Sequence, residues 1–382
     1  MQTNDSYSFD AIINRHKTNS LKWDKYKHQD ILPLWVADTD FKTAPVIQKA
    51  LEERIKHGIF GYTRTDQQRN QVVADYYQKK YGCHVEADWI VWVPGIVASL
   101  SLAIRSLSKQ HQQVFTPDMV YPYLHTTPAA SGKQANHLAM TYAEDRVRID
   151  INALEKRNAK DVRVMLFCNP QNPGGAVYTR EELQRIDAYC ETHNIVLVSD
   201  EIHADIILDK DKKHIPYIDI SAYALNNSIV LGAASKAFNV AGLACSWAVI
   251  ANDQLRQEFK NEMHGIISEI NPFGYIATLT ALTDGDEWIN SMNDYLRDNR
   301  DFLMAQLNAI KGLRMLPLES TFLAWIDVSE LKLEDPCAFF EAAGVGLSSG
   351  KDFNDANFLR LNFGCPRSML EEAVKRIKKA LA

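Results

Sequence analysis

The apolar positions of this chain change texture along its length. Between residues 89 and 250, short and almost wholly apolar runs alternate with stretches of helical spacing. The runs predict strands at 89–93, 113–116, 136–142, 162–168, 195–200, 229–231 and 245–250. Between them, helical spacing predicts helices at 96–108, 121–131, 151–157 and 179–192. Strand and helix in alternation predict an α/β fold, a large domain with a mainly parallel seven-stranded sheet covered by helices. Strands apolar throughout fit burial on both faces.

The flanks read differently. The first forty residues are mostly polar, then turn apolar over 31–41, where Pro33, Asp38 and Asp40 favour an extended arm over a helix. Pro45 opens a helix predicted over 45–57. The glycine-punctuated loop from Gly58 to Thr63 carries Tyr62, and a helix is predicted over 66–81. Beyond Asp253 helical spacing dominates to about residue 310, followed by strand-like runs at 322–328 and 358–363 and an amphipathic helix over 368–381. This predicts a smaller α+β domain formed by the C-terminal part and the N-terminal arm. The expected division is 1–45 for the arm and part of the small domain, 46–285 for the large domain and 286–382 for the small one.

Composition narrows the classes. A hydrophobic content of 46% and a charged content of 24% are those of a globular protein. The net charge of −6, with no basic block, argues against nucleic-acid binding. No apolar run approaches the roughly 18 residues of a membrane helix. The start, Met1 to Asp5, is polar and lacks a leader's apolar core. Six cysteines are scattered without a CxxC pair, which predicts buried free thiols in a cytoplasmic protein and no metal site.

Candidate chemistry lies at the carboxyl ends of the strands, where open α/β sheets bind ligands. Pro94-Gly95-Ile96-Val97 opens a helix whose free N–H groups suit a phosphate. Tyr121 and Tyr123 follow the second strand, Asn169 to Gly175 the fourth, Asp200 to Asp205 the fifth, and Lys236 the sixth. Each has a plain reading: a turn glycine, packed tyrosines, turn-forming Asn-Pro, a paired acid, a turn lysine with a solvated tip. Together they suit one ligand, a phosphorylated pyridine aldehyde. Asp200 would hold the ring nitrogen protonated, Asn172 and His203 would bond the ring hydroxyl, Tyr121 would stack on the ring, and Lys236 would condense with the aldehyde.

These stations resemble the pyridoxal-phosphate enzymes of the aspartate-aminotransferase fold. The run from Asn169 to Gly175 is similar to their Asn-Pro-x-Asn-Pro-x-Gly signature, Asp200 follows Asn172 by 28 residues, and Lys236 follows Asp200 by 36. Phe358-Leu359-Arg360-Leu361-Asn362 looks like the segment whose arginine grips the substrate carboxylate. Within that superfamily the chain resembles the cystathionine β-lyase and cysteine-S-conjugate β-lyase group. Trp35 to Phe41, Ser199 to Asp205 and Ser235 to Leu243 carry that likeness. His203 stands where ordinary aminotransferases more often have tyrosine, and Ala244 where they usually carry a phosphate-binding arginine. Ala233 departs from a common hydroxyl residue.

The resemblance implies pyridoxal 5'-phosphate as cofactor, held by Ile96, Val97, Tyr121, Asn172, Asp200, His203, Ser235, Lys236 and, from a neighbouring subunit, Tyr62. It places Arg360, Asn172, Trp35 and Ala37 around an amino-acid substrate, with Asn271 and Phe273 as further pocket candidates. The implied reaction is α,β-elimination from L-cystathionine or another L-cysteine S-conjugate, giving a thiol, pyruvate and ammonia. Lys236 would act as base, and Lys236 or Tyr123 would protonate the leaving thiolate. The implied assembly is a homodimer with active sites at the subunit interface. An aminotransferase shares every step up to the carbanion, and a pyridoxal-phosphate-binding regulator with little turnover is a third reading.

Overall fold

The computed structural model describes residues 7–382, so the polar start from Met1 to Asp5 lies outside the described residues. The main sheet has seven strands: β1 (Ile90–Val93), β2 (Gln113–Pro117), β3 (Gln134–Leu138), β4 (Val162–Cys168), β5 (Val196–Asp200), β6 (Ser228–Gly232) and β7 (Ser246–Val249). Their order is β1-β7-β6-β5-β4-β2-β3. Only β7 runs antiparallel to its neighbours, β1 and β6. It returns from β6 without a crossover helix, and a return of that kind reverses strand direction.

Alternation divides the strand residues between two cores. Val164, Leu166, Val196 and Val198 pack on the side of the helix Ile96–Leu107. Met165, Phe167 and Leu197 face the other side, with Leu183 and Ile186 of the helix Arg180–His193. Each such fully buried side chain contributes about 1.5–3 kcal/mol. All residues of β1, β5, β6 and β7 are buried, as their unbroken apolar runs require.

Two expectations need correction. The strand predicted over 136–142 ends at Leu138, and Met140–Thr141 pairs instead with Arg148–Ile149 in a separate ribbon. Leu138 is opposite Pro117, the last residue of β2, so the neighbouring strand offers no ladder beyond it. The helix predicted over 151–157 is α-helical only at Ile151–Leu154. Its continuation tightens into three-residue turns, with Arg157 N–H donating to the Leu154 carbonyl at 2.9 Å.

A four-stranded antiparallel sheet forms from Arg314–Met315, Leu323–Asp327, Phe358–Asn362 and Ser348–Ser349, in that order. The helices Asp286–Asn308 and Arg367–Ala380 pack beside it through Leu296, Leu303, Leu370 and Ile377. The N-terminal arm joins this unit: Leu32–Pro33 pairs in parallel with Val345–Gly346, and Leu34 and Phe41 enter the same core. Among the described residues no helix is long and apolar enough to cross a membrane. All six cysteines are free, five buried and Cys337 half-buried.

Candidate active site

A cavity of about 130 Å³ opens beyond the carboxyl ends of β4, β5 and β6. Five strand-end stations meet there, because parallel strands in one sheet bring their carboxyl ends to one edge. Gly95, Ile96 and Val97 form one wall, Tyr121 and Asn172 another, and Asp200, His203, Ser235 and Lys236 complete it.

Lys236 sits in the turn between β6 and β7. The small residues before it serve two purposes. A Cβ at Gly232 would come within 2.5 Å of the Trp247 indole, so that glycine makes room for a core side chain. Ala233 lines the cavity. The Lys236 ammonium donates to the Ala37 carbonyl at 2.8 Å. Burial pushes its pKa down to about 8, Arg360 pushes the same way, and Asp38 and Asp200 oppose.

Asp200 is buried and accepts from the Ile202 N–H at 3.2 Å. Burial lifts its carboxyl to about 6, against the pull of that bond and of Lys236. His203 is held neutral, its pKa lowered to about 3 by burial, Lys236 and Arg360. Its Nδ1 is buried without a hydrogen-bond partner among the described residues.

Arg360 reaches the site from the small sheet. Its Nη1 donates to Asn172 Oδ1 at 3.0 Å and its Nη2 to the Trp35 carbonyl at 3.1 Å. The guanidinium lies 4.6 Å from the centre of the Phe353 ring. Burial lowers its pKa to about 10, and Nε is buried without a partner among the described residues. A buried guanidinium whose Nε lacks a partner is suited to a carboxylate.

The helix Ile96–Leu107 points its N-terminus at the cavity and has no side-chain cap, which leaves its first N–H groups for a ligand. Gly95 precedes it at φ 113, and a Cβ there would meet nothing within 4 Å. Gly95 N–H and the Val93 carbonyl are both bonded to Ser246 Oγ, at 3.1 and 2.7 Å.

Other predicted residues lie outside the cavity wall. Tyr62 is fully exposed. Tyr123 is 48% exposed, with its ring 5.3 Å from that of Tyr121. Trp35 contributes its carbonyl, while its indole N–H donates to the Lys22 carbonyl. Asn271 caps the helix Pro272–Asp284, and the Phe273 ring lies tilted against that of Phe60, centres 5.3 Å apart. Sequence reasoning missed Cys168, Ile202, Ala241 and Cys245, which line the cavity. Cys168 and Cys245 sit in runs that read as plain core strands, while Ile202 and Ala241 lie inside motif stretches whose polar residues drew the attention.

The wall fits a flat, phosphorylated ring with a protonated nitrogen. A carboxyl raised to about 6 by burial calls for a cationic donor opposite it. The orphaned His203 Nδ1 calls for a polar group, and the uncapped helix start for an anion.

Residues 29–377 match the family described as aminotransferase class I and II. The chain is 32% identical to cystathionine beta-lyase PatB of Bacillus subtilis over 98% of this chain and 100% of that protein. The crystal structure of OvoB superposes with a TM-score of 0.95 at 40% identity, covering 98% of this chain and 99% of that one. The PLP-bound C–S lyase of Staphylococcus hominis gives a TM-score of 0.89 at 29% identity, covering 98% of each chain.

Proposed function

The chain belongs to the class I and II aminotransferase family, and within it we propose a pyridoxal-phosphate-dependent carbon–sulfur lyase acting on L-cystathionine or another L-cysteine S-conjugate. The observation that carries this reading is full-length similarity to a cystathionine beta-lyase joined to a cavity with a depressed lysine and a raised carboxyl. Pyridoxal phosphate, when bound, supplies an aldehyde for Lys236 and a sink for the electrons released at the substrate Cα.

The chain's own residues do the rest. Ile96 and Val97 N–H groups and Ser235 would hold the phosphate. Asp200 would keep a proton on the ring nitrogen, His203 and Asn172 would bond the ring hydroxyl, and Tyr121 would cover the ring. Arg360 grips the substrate carboxylate through two N–H groups. Lys236, whose pKa of about 8 leaves part of it unprotonated near neutrality, takes the Cα proton. The C–S bond then breaks, and Lys236 or Tyr123 protonates the departing thiolate. Ala37 and Trp35 border the substrate.

A homodimer completes the site. Tyr62, fully exposed beside exposed Ile59 and Phe60, is available to a second subunit's phosphate. A cytoplasmic setting is supported by the unpaired cysteines.

The test is an absorbance scan of the purified protein followed by L-cystathionine and a coupled pyruvate assay. A visible band with steady pyruvate release is expected, and Lys236→Ala should abolish the release. Conversion to an aminated cofactor without pyruvate, reversed by a keto acid, overturns the lyase reading in favour of transamination.

A further inference from the structure

Loop 35–41 enters from the N-terminal arm, and its carbonyls are taken up in turn. The Trp35 carbonyl accepts from Arg360 and from Ser348 Oγ, at 3.1 and 2.7 Å. The Val36 carbonyl accepts from Asn362 Nδ2 at 2.5 Å, and the Ala37 carbonyl from Lys236 Nζ at 2.8 Å. The Asp38 carbonyl accepts from Lys22 Nζ at 2.9 Å and Asn362 Nδ2 at 2.8 Å. The Thr39 carbonyl accepts from Asn239 Nδ2 at 3.0 Å. One short loop thus holds both the lysine and the arginine of the proposed chemistry.

The arm grips the loop from behind with charge. Lys22 is wholly buried, its Nζ 2.7 Å from Asp40 Oδ2. Arg15 forks onto Asp38 at 2.7 and 2.9 Å and reaches Asp40 Oδ1 at 2.7 Å. Trp23 Nε1 adds a bond to Asp40 Oδ1 at 2.9 Å. Burying such pairs is costly, and apolar residues of like volume often stabilise a fold as well or better. What apolar residues lack is direction: a fork and a buried ammonium fix where a loop's oxygens point.

We propose that Arg15 and Lys22 are positioning residues, which grip Asp38 and Asp40 and so present the Ala37 carbonyl to Lys236 and the Trp35 carbonyl to Arg360. The proposal rests on the assignment of Lys236 and Arg360 as working residues, and not on which bond the reaction breaks. Around Lys236 stand Asp38 from the loop, Arg360 from the small sheet, and Asp200 and His203 from the main sheet. The Ala37 carbonyl and Asp38 favour its ammonium. With the loop released, burial and Arg360 dominate, and Lys236 loses its proton at lower pH.

The test uses full-length Lys22→Met and Arg15→Met, with Arg376→Met as a control. Arg376 ties the arm elsewhere, donating to the Asp30 carbonyl at 2.8 Å. Lys236 in the cofactor-free chain is labelled across pH with an amine-reactive reagent and read by mass spectrometry. KM and kcat for L-cystathionine are measured on the loaded enzyme. Lys22→Met is expected to move the labelling midpoint to lower pH by about one unit, and to raise KM and lower kcat by about tenfold each, the loss of one charged hydrogen bond at each partner. Arg376→Met is expected to lower the thermal midpoint alone. An unchanged midpoint and KM in folded Lys22→Met overturns the proposal, as does the same shift in Arg376→Met. If Lys22→Met does not fold, Arg15→Met decides by the same readouts. A wild type that releases no pyruvate while labelling shifts as expected overturns the lyase reading and leaves the positioning standing.

Discussion

Arg360 Nη1 lies 3.0 Å from Asn172 Oδ1, joining the small sheet to the turn after β4, whose Asn172 lines the cavity. Held also by the Trp35 carbonyl, the arginine is aimed before any substrate arrives, and little of its rotamer entropy is lost on binding.

That aim depends on a planar fork. Arg360→Lys keeps a positive charge but loses one of two parallel bonds to a carboxylate and the stacking on Phe353. KM for the amino-acid substrate is expected to rise by about a hundredfold, an effect of about 3 kcal/mol at the upper end for charged hydrogen bonds. Steady-state kinetics with the lysine variant checks it, and a rise under threefold contradicts a bidentate role.

Asp200 trades stability for cofactor. Its folded pKa of about 6 exceeds the ordinary value of 3.8. The folded chain therefore binds the proton more tightly, and stability falls as pH rises through that window. Asp200→Asn should raise the thermal midpoint of the cofactor-free chain at pH 8 and raise it far less at pH 4. The gain is at most about 3 kcal/mol. The same variant should lose pyridoxal phosphate faster, by about tenfold or more. Thermal scans at the two pH values and a dialysis time course measure both arms.

The phosphate corner has a repairable gap. Ala233 lines the cavity and offers it no side-chain donor. Ala233→Ser adds a donor without much volume, and cofactor loss should slow by about fivefold, the worth of one added hydrogen bond. Equal or faster loss in the serine variant contradicts this.

Gly95 is bound by its backbone. At φ 113 and ψ 154 it occupies a region reserved for glycine, although a Cβ would meet nothing within 4 Å. Gly95→Ala should therefore destabilise by about 1–3 kcal/mol of strain. It should also weaken cofactor retention, because relief of strain turns the Ile96 and Val97 N–H groups away. Chemical denaturation and cofactor release on the same variant test the pair.

The strand ends were legible because buried parallel strands leave unbroken apolar runs, and whatever polar residue follows stands out. Asn172, Asp200 and Lys236 were found that way. The boundary at Leu138 was not, since it is set by Pro117 of the neighbouring strand, outside the local window. Arg15 and Lys22 were invisible for a different reason. They lie in a polar stretch that reads as solvated surface, yet Lys22 is fully buried against Asp40. Pairing of charges across a fold leaves no period in the sequence. Backbone acceptors such as the Ala37 carbonyl leave no residue-type signal at all.

The loop that serves Lys236 is made early, and one of its holders much later. Asn362, which bonds the Val36 and Asp38 carbonyls, follows Asp38 by 362 − 38 = 324 residues. At about 5–20 residues per second, synthesis of that stretch takes roughly 16–65 s. Through that whole interval the loop waits on the ribosome with open carbonyls, and Arg360 does not yet exist beside it. A nascent chain that has not reached Asn362 therefore offers the cofactor a lysine without its surroundings, and a product truncated before Asn362 is left with a lysine whose holding loop is unfinished.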